Sequence, residues 1–529
     1  MTNIPDKTIK RKAKNDLIRF LTFNVNGIRT FFHYHPFSQM KSSLKDVFDY
    51  FDSDIISFQE LKTDTLAISK WGKVDGFYSF ISIPKVKKGY SGVGCWIRIL
   101  PEDHPCHNTL KVVKAEEGIT GLLTVKVNGQ QIRYRDDVNL GLGGYDDLGI
   151  TDEQLLLDLD SEGRCVMIEL AYNMIVICVY SPANSGLTDE GEVFRMTFIK
   201  VLFNRIRNFT KMGKNVAFMG DINICRDLID SADCLNLANI NLQEYNTGTM
   251  VESKYYSDAV KFILNPDTPH RKLLNMLLSD SIIPELADDG ILVDSTRYIQ
   301  GRDRLKMYTV WNTLKNTRPS NYGSRIDLIL LTDVLKYNIK DANILAEVMG
   351  SDHCPVYADL SFESISTEIK PSSSKIPKFE ARYKFNLMNY DVLSMFAKRS
   401  KTAPLPRISN SSSASTSNTV KYGMAKKEKS IDTFFKITKT QRPNRTLSTR
   451  NAGPDKGISL RTTRISSSQS DAKSLKDIFG SPPLCRHGDV CILKTSKTSD
   501  NPGKKFWTCH KSRGDPNDPD SSCGFFKWV

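Results

Sequence analysis

"YNMIVICVYSP", residues 172–182, and "NVAFMGDIN", residues 215–223, enclose a stretch with a different rhythm. Both are short apolar runs of strand length. Between them Phe194, Phe198, Leu202, Ile206 and Phe209 recur every three or four positions. That spacing predicts a helix over 190–212 with one apolar face. Further strand-like runs, among them "LIRFLTFNVN" (17–26), "DIISFQELK" (54–62), "GVGCWIRIL" (92–100) and "SRIDLILLT" (324–332), extend the pattern. Together they predict one mixed α/β domain over residues 17–362. Two polar stretches, near 135–163 and near 244–270, read as loop insertions.

The chain has 529 residues, room for more than one unit. No apolar run approaches the roughly 20 residues of a membrane helix. "MTNIPDKTIKRKAKND" lacks the apolar core of a secretion signal. A reducing compartment is therefore expected, with the 11 cysteines as thiols or metal ligands. Seven are scattered through the first 360 residues and read as small buried apolar groups. The other four, Cys485, Cys491, Cys509 and Cys523, crowd into the C-terminal end.

The net charge of +13 is uneven: residues 371–480 hold 22 Lys and Arg against 7 Asp and Glu, and residues 481–529 hold 8 against 5. A net −5 is left for the first 370. Residues 363–480 are rich in Ser, Thr, Lys, Arg and Pro and bury too little apolar surface to offset ordering entropy. They are expected to be a disordered basic linker, a natural counter-charge for nucleic acid. Two apolar islands interrupt it, at 383–396 and 430–437.

The strand-like runs share a feature that apolar packing does not explain. They carry polar residues at or near their ends: Asn24 and Asn26, Gln59 and Glu60, Tyr180, Asp221 and Asn223. Asp327 lies inside an apolar run, and Asp352 and His353 precede another. In a sandwich of sheets these groups can converge on one edge. Clustered carboxylates repel unless a cation sits among them, and oxygen ligands with water suit Mg²⁺. A histidine held by an aspartate can orient water or stabilise charge on phosphate. The set reads as metal-assisted phosphodiester hydrolysis.

"FNVNGIR" (23–29), "SFQELK" (57–62), "GYSGVGCW" (89–96), "VYSP" (179–182), "GDIN" (220–223), "NYGSRIDLIL" (321–330) and "GSDHCPV" (350–356) occur in the order found in exonuclease III-type (class II) AP endonucleases. The chain thus resembles that family, and its long tail is most like the eukaryotic, fungal branch. The resemblance implies the endonuclease/exonuclease/phosphatase fold, an α/β protein built as a two-layer β-sandwich flanked by helices. It implies a nuclear base-excision-repair hydrolase that cuts abasic sites and trims blocked 3′ ends. It carries over Glu60 as the main Mg²⁺ (or Mn²⁺) ligand with Asp352 and Asn26 beside it, the metal environment extending to Asp221, Asn223 and His353. Asp221 would activate the attacking water, Asn223 would hold phosphate or nucleophile, and His353, oriented by Asp327, would stabilise the transition state. Tyr180 and Asn24 would contact phosphate, and Arg29 and Lys62 the DNA backbone. Relatives have an Asn after "Tyr-x-Pro"; here Ala183 stands there, with Asn184 one step later. Two other readings are a lipid phosphodiesterase of the same fold and a non-catalytic scaffold tethering DNA to a sliding clamp.

Residues 481–529 resemble a GRF-type zinc finger, which assigns Cys485, His487, Cys509 and Cys523 to structural Zn²⁺ and leaves Cys491 and His510 outside. Its Gly-Arg-x-Phe is here Gly503-Lys504-Lys505-Phe506. Aromatics beside lysines fit single-stranded DNA. Residues 428–435 resemble a PCNA-interacting motif, with Ile431, Phe434 and Phe435 as anchors and Glu428 in place of the usual Gln.

Overall fold

A strand buried on both faces needs an unbroken apolar run. β9 (Met174–Tyr180) and β10 (Asn215–Asp221) have one, and all but one end residue of each is buried. They pair in parallel, Tyr180 opposite Asp221. Parallel neighbours need a crossover, which the helix Asp189–Lys211 supplies. Thr188 caps its first turn by accepting from Gly191 N, and Asp189, Glu190 and Glu192 suit the positive end of the helix.

The computed structural model describes residues 9–362 apart from 86, 88 and 187, then 376–387, 483–495, 505–509, 511, 522–523 and 525–528. One six-stranded sheet runs in the order β15 (Ile339–Ile344), β16 (Val356–Ser361), β1 (Leu17–Asn24), β2 (Ile55–Gln59), β4 (Val93–Arg98), β3 (Phe77–Ser82). The other runs β11 (Leu292–Asp294), β14 (Asp327–Thr332), β10, β9, β8 (Cys165–Leu170), β5 (Val112–Glu117). Two short pairs, β6 (Thr124–Val127) with β7 (Gln130–Arg133) and β12 (Val310–Trp311) with β13 (Gly323–Ser324), stand apart.

The sheets share a core that includes Phe20, Ile55 and Phe80 from one and Val166, Val176 and Met219 from the other. Outside, Phe198, Leu202, Ile206 and Phe209 of the long helix cover Ile177, Phe218 and Leu330. Phe31, Phe37, Phe48 and Trp71 cover Leu21, Phe23 and Phe58 of the first sheet. Each fully buried side chain of this kind contributes about 1.5–3 kcal/mol. This is the two-layer sandwich flanked by helices that the sequence implies.

Three expectations need correction. The stretch near 244–270 is helical: helices Gly248–Lys254 and Tyr256–Leu264 bury Val251, Ala259, Phe262 and Ile263. Its apolar positions are few but fall on one face, so composition hides a periodic pattern. The stretch near 135–163 contains the helix Glu153–Asp160, which buries Leu156 and Leu159. The disordered linker assigned to 363–480 does not hold for residues 376–387. Phe379 and Ala381 are buried, and Glu380 bridges Phe80 on the edge strand β3. There the Glu380 carboxylate accepts from Ser79 N at 3.2 Å, and Lys384 meets Glu117 at 2.7 Å. The motif at 428–435 lies outside the described residues.

The chain divides into two compact units, 1–409 and 410–529. In the second, β17 (Ile492–Thr495), β18 (Lys505–Thr508) and β19 (Phe526–Trp528) form a three-stranded sheet.

Candidate active site

Each sheet has one parallel pair at its centre, β1–β2 and β9–β10, so four strands end at one edge of the sandwich. Asn24, Gln59, Tyr180 and Asp221 are their last residues. β14 runs antiparallel to β10 and begins with Asp327 opposite Asp221. β16 runs antiparallel to β1, so the residues before it, Asp352 and His353, extend to the same edge. The carboxylates therefore gather from strand ends of both polarities. Asp327 is the first residue of its strand, not an interior one.

Four site residues sit just beyond a strand in the left-handed region: Asn26 (φ 46°), Glu60 (φ 51°), Lys62 (φ 46°) and Asn223 (φ 56°). Asn tolerates this, whereas Glu60 bears a strain of order 1–3 kcal/mol. The turn holds because Gly27 N donates to Glu60 O at 2.8 Å and Val25 N to Gln59 O at 3.1 Å. Gln59 points into the sheet, bonded to Ser57 and Thr22.

Asn24 is fully buried, and its amide nitrogen donates to Glu60 Oε1 and Asp221 Oδ2, both at 2.9 Å. Its oxygen accepts from Asn26 N at 3.0 Å. Its donors are spent, so it orients two carboxylates instead of contacting phosphate as expected. Asn26 donates to Asp352 Oδ1 at 2.9 Å and accepts from Lys62, whose ammonium also lies 2.8 Å from Glu60 Oε2. Lys62 is thereby turned toward the carboxylates. Asn223 donates to Ser181 O at 2.8 Å, and its backbone N–H to Asp221 Oδ1 at 3.0 Å. His353 Nδ1 meets Asp327 Oδ2 at 2.8 Å, and its Nε2 stands 3.9 Å from Asp221 Oδ2. Arg29 is exposed on the turn after β1.

Burial pushes Glu60 up, but hydrogen bonds from Lys62 and Asn24 outweigh it and hold the carboxyl below the ordinary range. Burial, then the charge of Asp327, raise Asp221 to about 7. Burial works against charge on His353, yet Asp327 and then Asp221 outweigh it and lift the imidazole to about 10. Burial drives the Tyr180 phenol far up, with Glu60 and Asp221 adding to it. Ligand atoms of Asp221, Asp327 and His353 lie within 4.8 Å of one another. With Glu60 and Asp352 alongside, the donors are mostly hard oxygens, the set that fits a divalent cation keeping several waters.

Residues absent from the sequence reading hold this set in place. Arg164 lies between the rings of Tyr90 and Tyr180, 5.3 and 4.9 Å from their centres, and donates to Tyr180 O at 3.2 Å. Tyr90 lies within "GYSGVGCW", a signal that was available. Thr309 Oγ1 accepts from Asp327 N at 3.1 Å. Arg195 donates to Asn223 O at 2.9 Å. Arg325 of "RID" is buried on Asp230 and Asp294 and braces β13. Asn184 is used locally: it donates to Thr188 O and Glu192 and accepts from Thr188 N. It therefore secures the entry to the long helix.

In the second unit, Cys485, His487, Cys509 and Cys523 bring their ligand atoms within 4.8 Å of one another. His487 Nδ1 lies 3.6 Å from both Cys485 Sγ and Cys509 Sγ. Zn–N and Zn–S bonds at a tetrahedral angle give an N···S edge of about 3.6 Å, so the residues fit zinc. Burial raises the Cys509 thiol, but hydrogen bonds from the Cys523 and Lys511 backbone and from His487 outweigh it and bring it to about 6, toward the thiolate a metal takes. Cys491 is buried beside them, outside the set. Phe506 and Phe526 rings lie 4.7 Å apart.

Residues 21–353 match the Endonuclease/Exonuclease/phosphatase family, and residues 483–529 the GRF zinc finger. The sequence is 54% identical to the DNA-(apurinic or apyrimidinic site) endonuclease 2 of Saccharomyces cerevisiae over 100% of both chains. To the protein of that name from Schizosaccharomyces pombe it is 31% identical over 94% of each. The crystal structure of the Xenopus laevis APE2 catalytic domain aligns with a TM-score of 0.52 at 27% identity, covering 70% of this chain and 98% of that one.

Proposed function

The chain belongs to the endonuclease/exonuclease/phosphatase family, in its DNA-(apurinic or apyrimidinic site) endonuclease 2 branch; it is a DNA-repair nuclease acting at abasic sites, and we propose how its residues divide that hydrolysis. Glu60 and Asp352, steadied by Asn24 and Asn26, would hold a divalent cation, and their hard oxygens favour Mg²⁺. When bound, the cation offsets charge on the phosphate and makes nearby water more acidic. Asp221, at about 7, takes the proton of the attacking water. Asn223 keeps one amide hydrogen for the water or the phosphate, since the other goes to Ser181 O. His353 stays charged beside Asp327 and donates from Nε2 to a non-bridging phosphate oxygen. Tyr180 adds a phenol donor, fixed by Arg164. Arg29 meets the DNA backbone, and Lys62, held by Asn26 and Glu60, reaches it with the one ammonium hydrogen left to it.

The observation that carries this division is the His353–Asp327–Asp221 line beside Glu60. The test is a Mg²⁺-dependent cleavage assay on abasic and 3′-blocked duplexes. Glu60→Ala and Asp221→Asn should each lower the rate roughly 10³-fold, the scale of several kcal/mol of lost charge stabilisation. Near-normal turnover in either folded variant sinks the assignment.

The same reading extends to 3′-phosphodiesterase and 3′→5′ exonuclease activity, to a nuclear location, and to two partners. Single-stranded DNA suits the finger, whose sequence sets Phe506 beside Lys505 and Phe526 beside Lys527. PCNA suits residues 428–435; Phe434→Ala with Phe435→Ala should abolish capture by PCNA while leaving basal cleavage intact.

A further inference from the structure

Arg318 lies in the turn after β12. Its guanidinium stands over the Trp311 ring, 4.4 Å from the centre. From there it reaches four backbone carbonyls of one segment. Nη2 donates to Ala346 O at 2.9 Å and Val348 O at 2.6 Å, and Nη1 to Ser351 O at 3.0 Å and, at the limit of range, His353 O at 3.5 Å. This segment carries Asp352 and His353.

The segment is also tied by the Asp352 side chain to Asn26, the His353 ring to Asp327, the bridge of Val310 with His353, Cys354 N to Thr309 O and Leu345 N to Pro355 O. Val348 N bonds Leu345 O, Ser351 Oγ bonds Asn24 O at 2.7 Å, and Trp311 N bonds Asp352 O at 3.0 Å. Among the described residues, no backbone N–H reaches the carbonyls of Ala346, Val348 or Ser351. Arg318 is thus the group that gathers them, and its platform, Trp311, is fixed by Asn321 Oδ1 at 3.1 Å. The planar fork of Arg suits divergent acceptors, whereas Lys presents its three donors from a single point.

We infer that Arg318 is a positioning residue: it sets the backbone from which Asp352 and His353 project, and so the 3.9 Å approach of His353 Nε2 to Asp221. This rests on the role given to His353 above. A small misplacement of a reacting group costs rate more than it costs binding. Arg318 therefore acts on the chemical step and leaves affinity for DNA unchanged.

The test compares full-length wild type, Arg318→Ala, Arg318→Lys and His353→Ala, each at a temperature where circular dichroism shows it folded. Two quantities are measured on an abasic duplex: the single-turnover rate at saturating enzyme with Mg²⁺, and the DNA Kd with Ca²⁺ in its place. Arg318→Ala should lose about 10- to 10²-fold in rate with Kd unchanged, and methylguanidinium, but not methylammonium, should restore part of it. Arg318→Lys, which keeps the charge and the stem, should lose rate as well. An unchanged rate in a folded variant overturns the inference, as does a Kd that weakens in step with the rate, the mark of a phosphate contact. If Arg318→Ala does not fold, Arg318→Lys decides by the same two readings. A fully active His353→Ala would instead bring down the reading on which the inference rests.

Discussion

The imidazole of His353 is pinned by Asp327 at 2.8 Å, while its other nitrogen stands 3.9 Å from Asp221. One carboxylate thus sets the charge of two working groups. Asp221 must lose its proton near 7 and His353 must keep its own to about 10. Cleavage should rise with pH to a plateau reached by about neutrality and fall by about pH 10, a bound Mg²⁺ drawing both limbs lower still. Asp327→Asn removes a charge that lifts both groups, so both limbs should move to lower pH. A profile with unmoved limbs in that variant refutes the shared control.

The same pair bears on stability. A raised folded pKa favours the protonated fold: for His353 the contribution is complete below about pH 6.5 and is lost as pH rises through about 10. Chelated protein should therefore lose Tm across that window, and less so as His353→Gln. Equal losses in both would show that the imidazole contributes nothing.

Val310 and Ser324 oppose each other across β12–β13, and Val310 also bridges His353. By the family resemblance drawn from the motifs above, strong abasic-site incisors are expected to carry aromatics at these two positions, walling the pocket for the flipped sugar. The smaller Val310 and Ser324 side chains predict a wider pocket that recovers less of the few kcal/mol that flipping costs. Activity on a 3′-blocked nick should exceed incision at an internal abasic analogue, measured as kcat/KM on matched duplexes. Val310→Phe with Ser324→Trp should shift the ratio toward incision. A clear preference of the wild type for the internal site refutes the pocket argument.

Residues 376–387 close the open edge of β3 and bury Phe379 and Leu387. A chain ending at residue 362 should keep its site but lose at least about 1.5–3 kcal/mol and bare an edge strand prone to association. Denaturant midpoints and light scattering, compared with a chain ending at residue 390, measure both. Equal midpoints would mean the segment adds nothing.

Cys509→Ser should release zinc from the finger and Cys491→Ser should not, because Cys491 lies outside the four-ligand cluster. Metal content by atomic absorption on the full chain decides. Zinc loss in both variants would put Cys491 among the ligands.

Much of this was legible in the sequence, because chemistry concentrates where apolar runs stop. Asp221 and Glu60 follow strand-length runs, and each is a polar residue that packing alone does not call for. The long helix was visible through Phe198, Leu202 and Ile206, a period that only a helix satisfies. What stayed hidden lacked either period or local contrast. Asn24 looks like a phosphate contact until the fold seals it between two carboxylates. Arg318 and Arg164 act through backbone carbonyls and rings brought together by tertiary structure, and no spacing announces that. Phe379 sits in a polar stretch whose composition outweighed its one buried face.

β1 pairs with β2 on one side and with β16 on the other. Its residues leave the ribosome early, yet their partner at 356–361 is among the last of the catalytic body to be made. At 5–20 residues per second the wait is roughly 20–70 s. Through that time Phe20, Leu21 and Phe23 have one flank of their strand unpaired. The site edge, which needs Asn24 beside Ser351, closes only when the chain has come back to its beginning. The site therefore cannot assemble until residues 350–361 have left the ribosome.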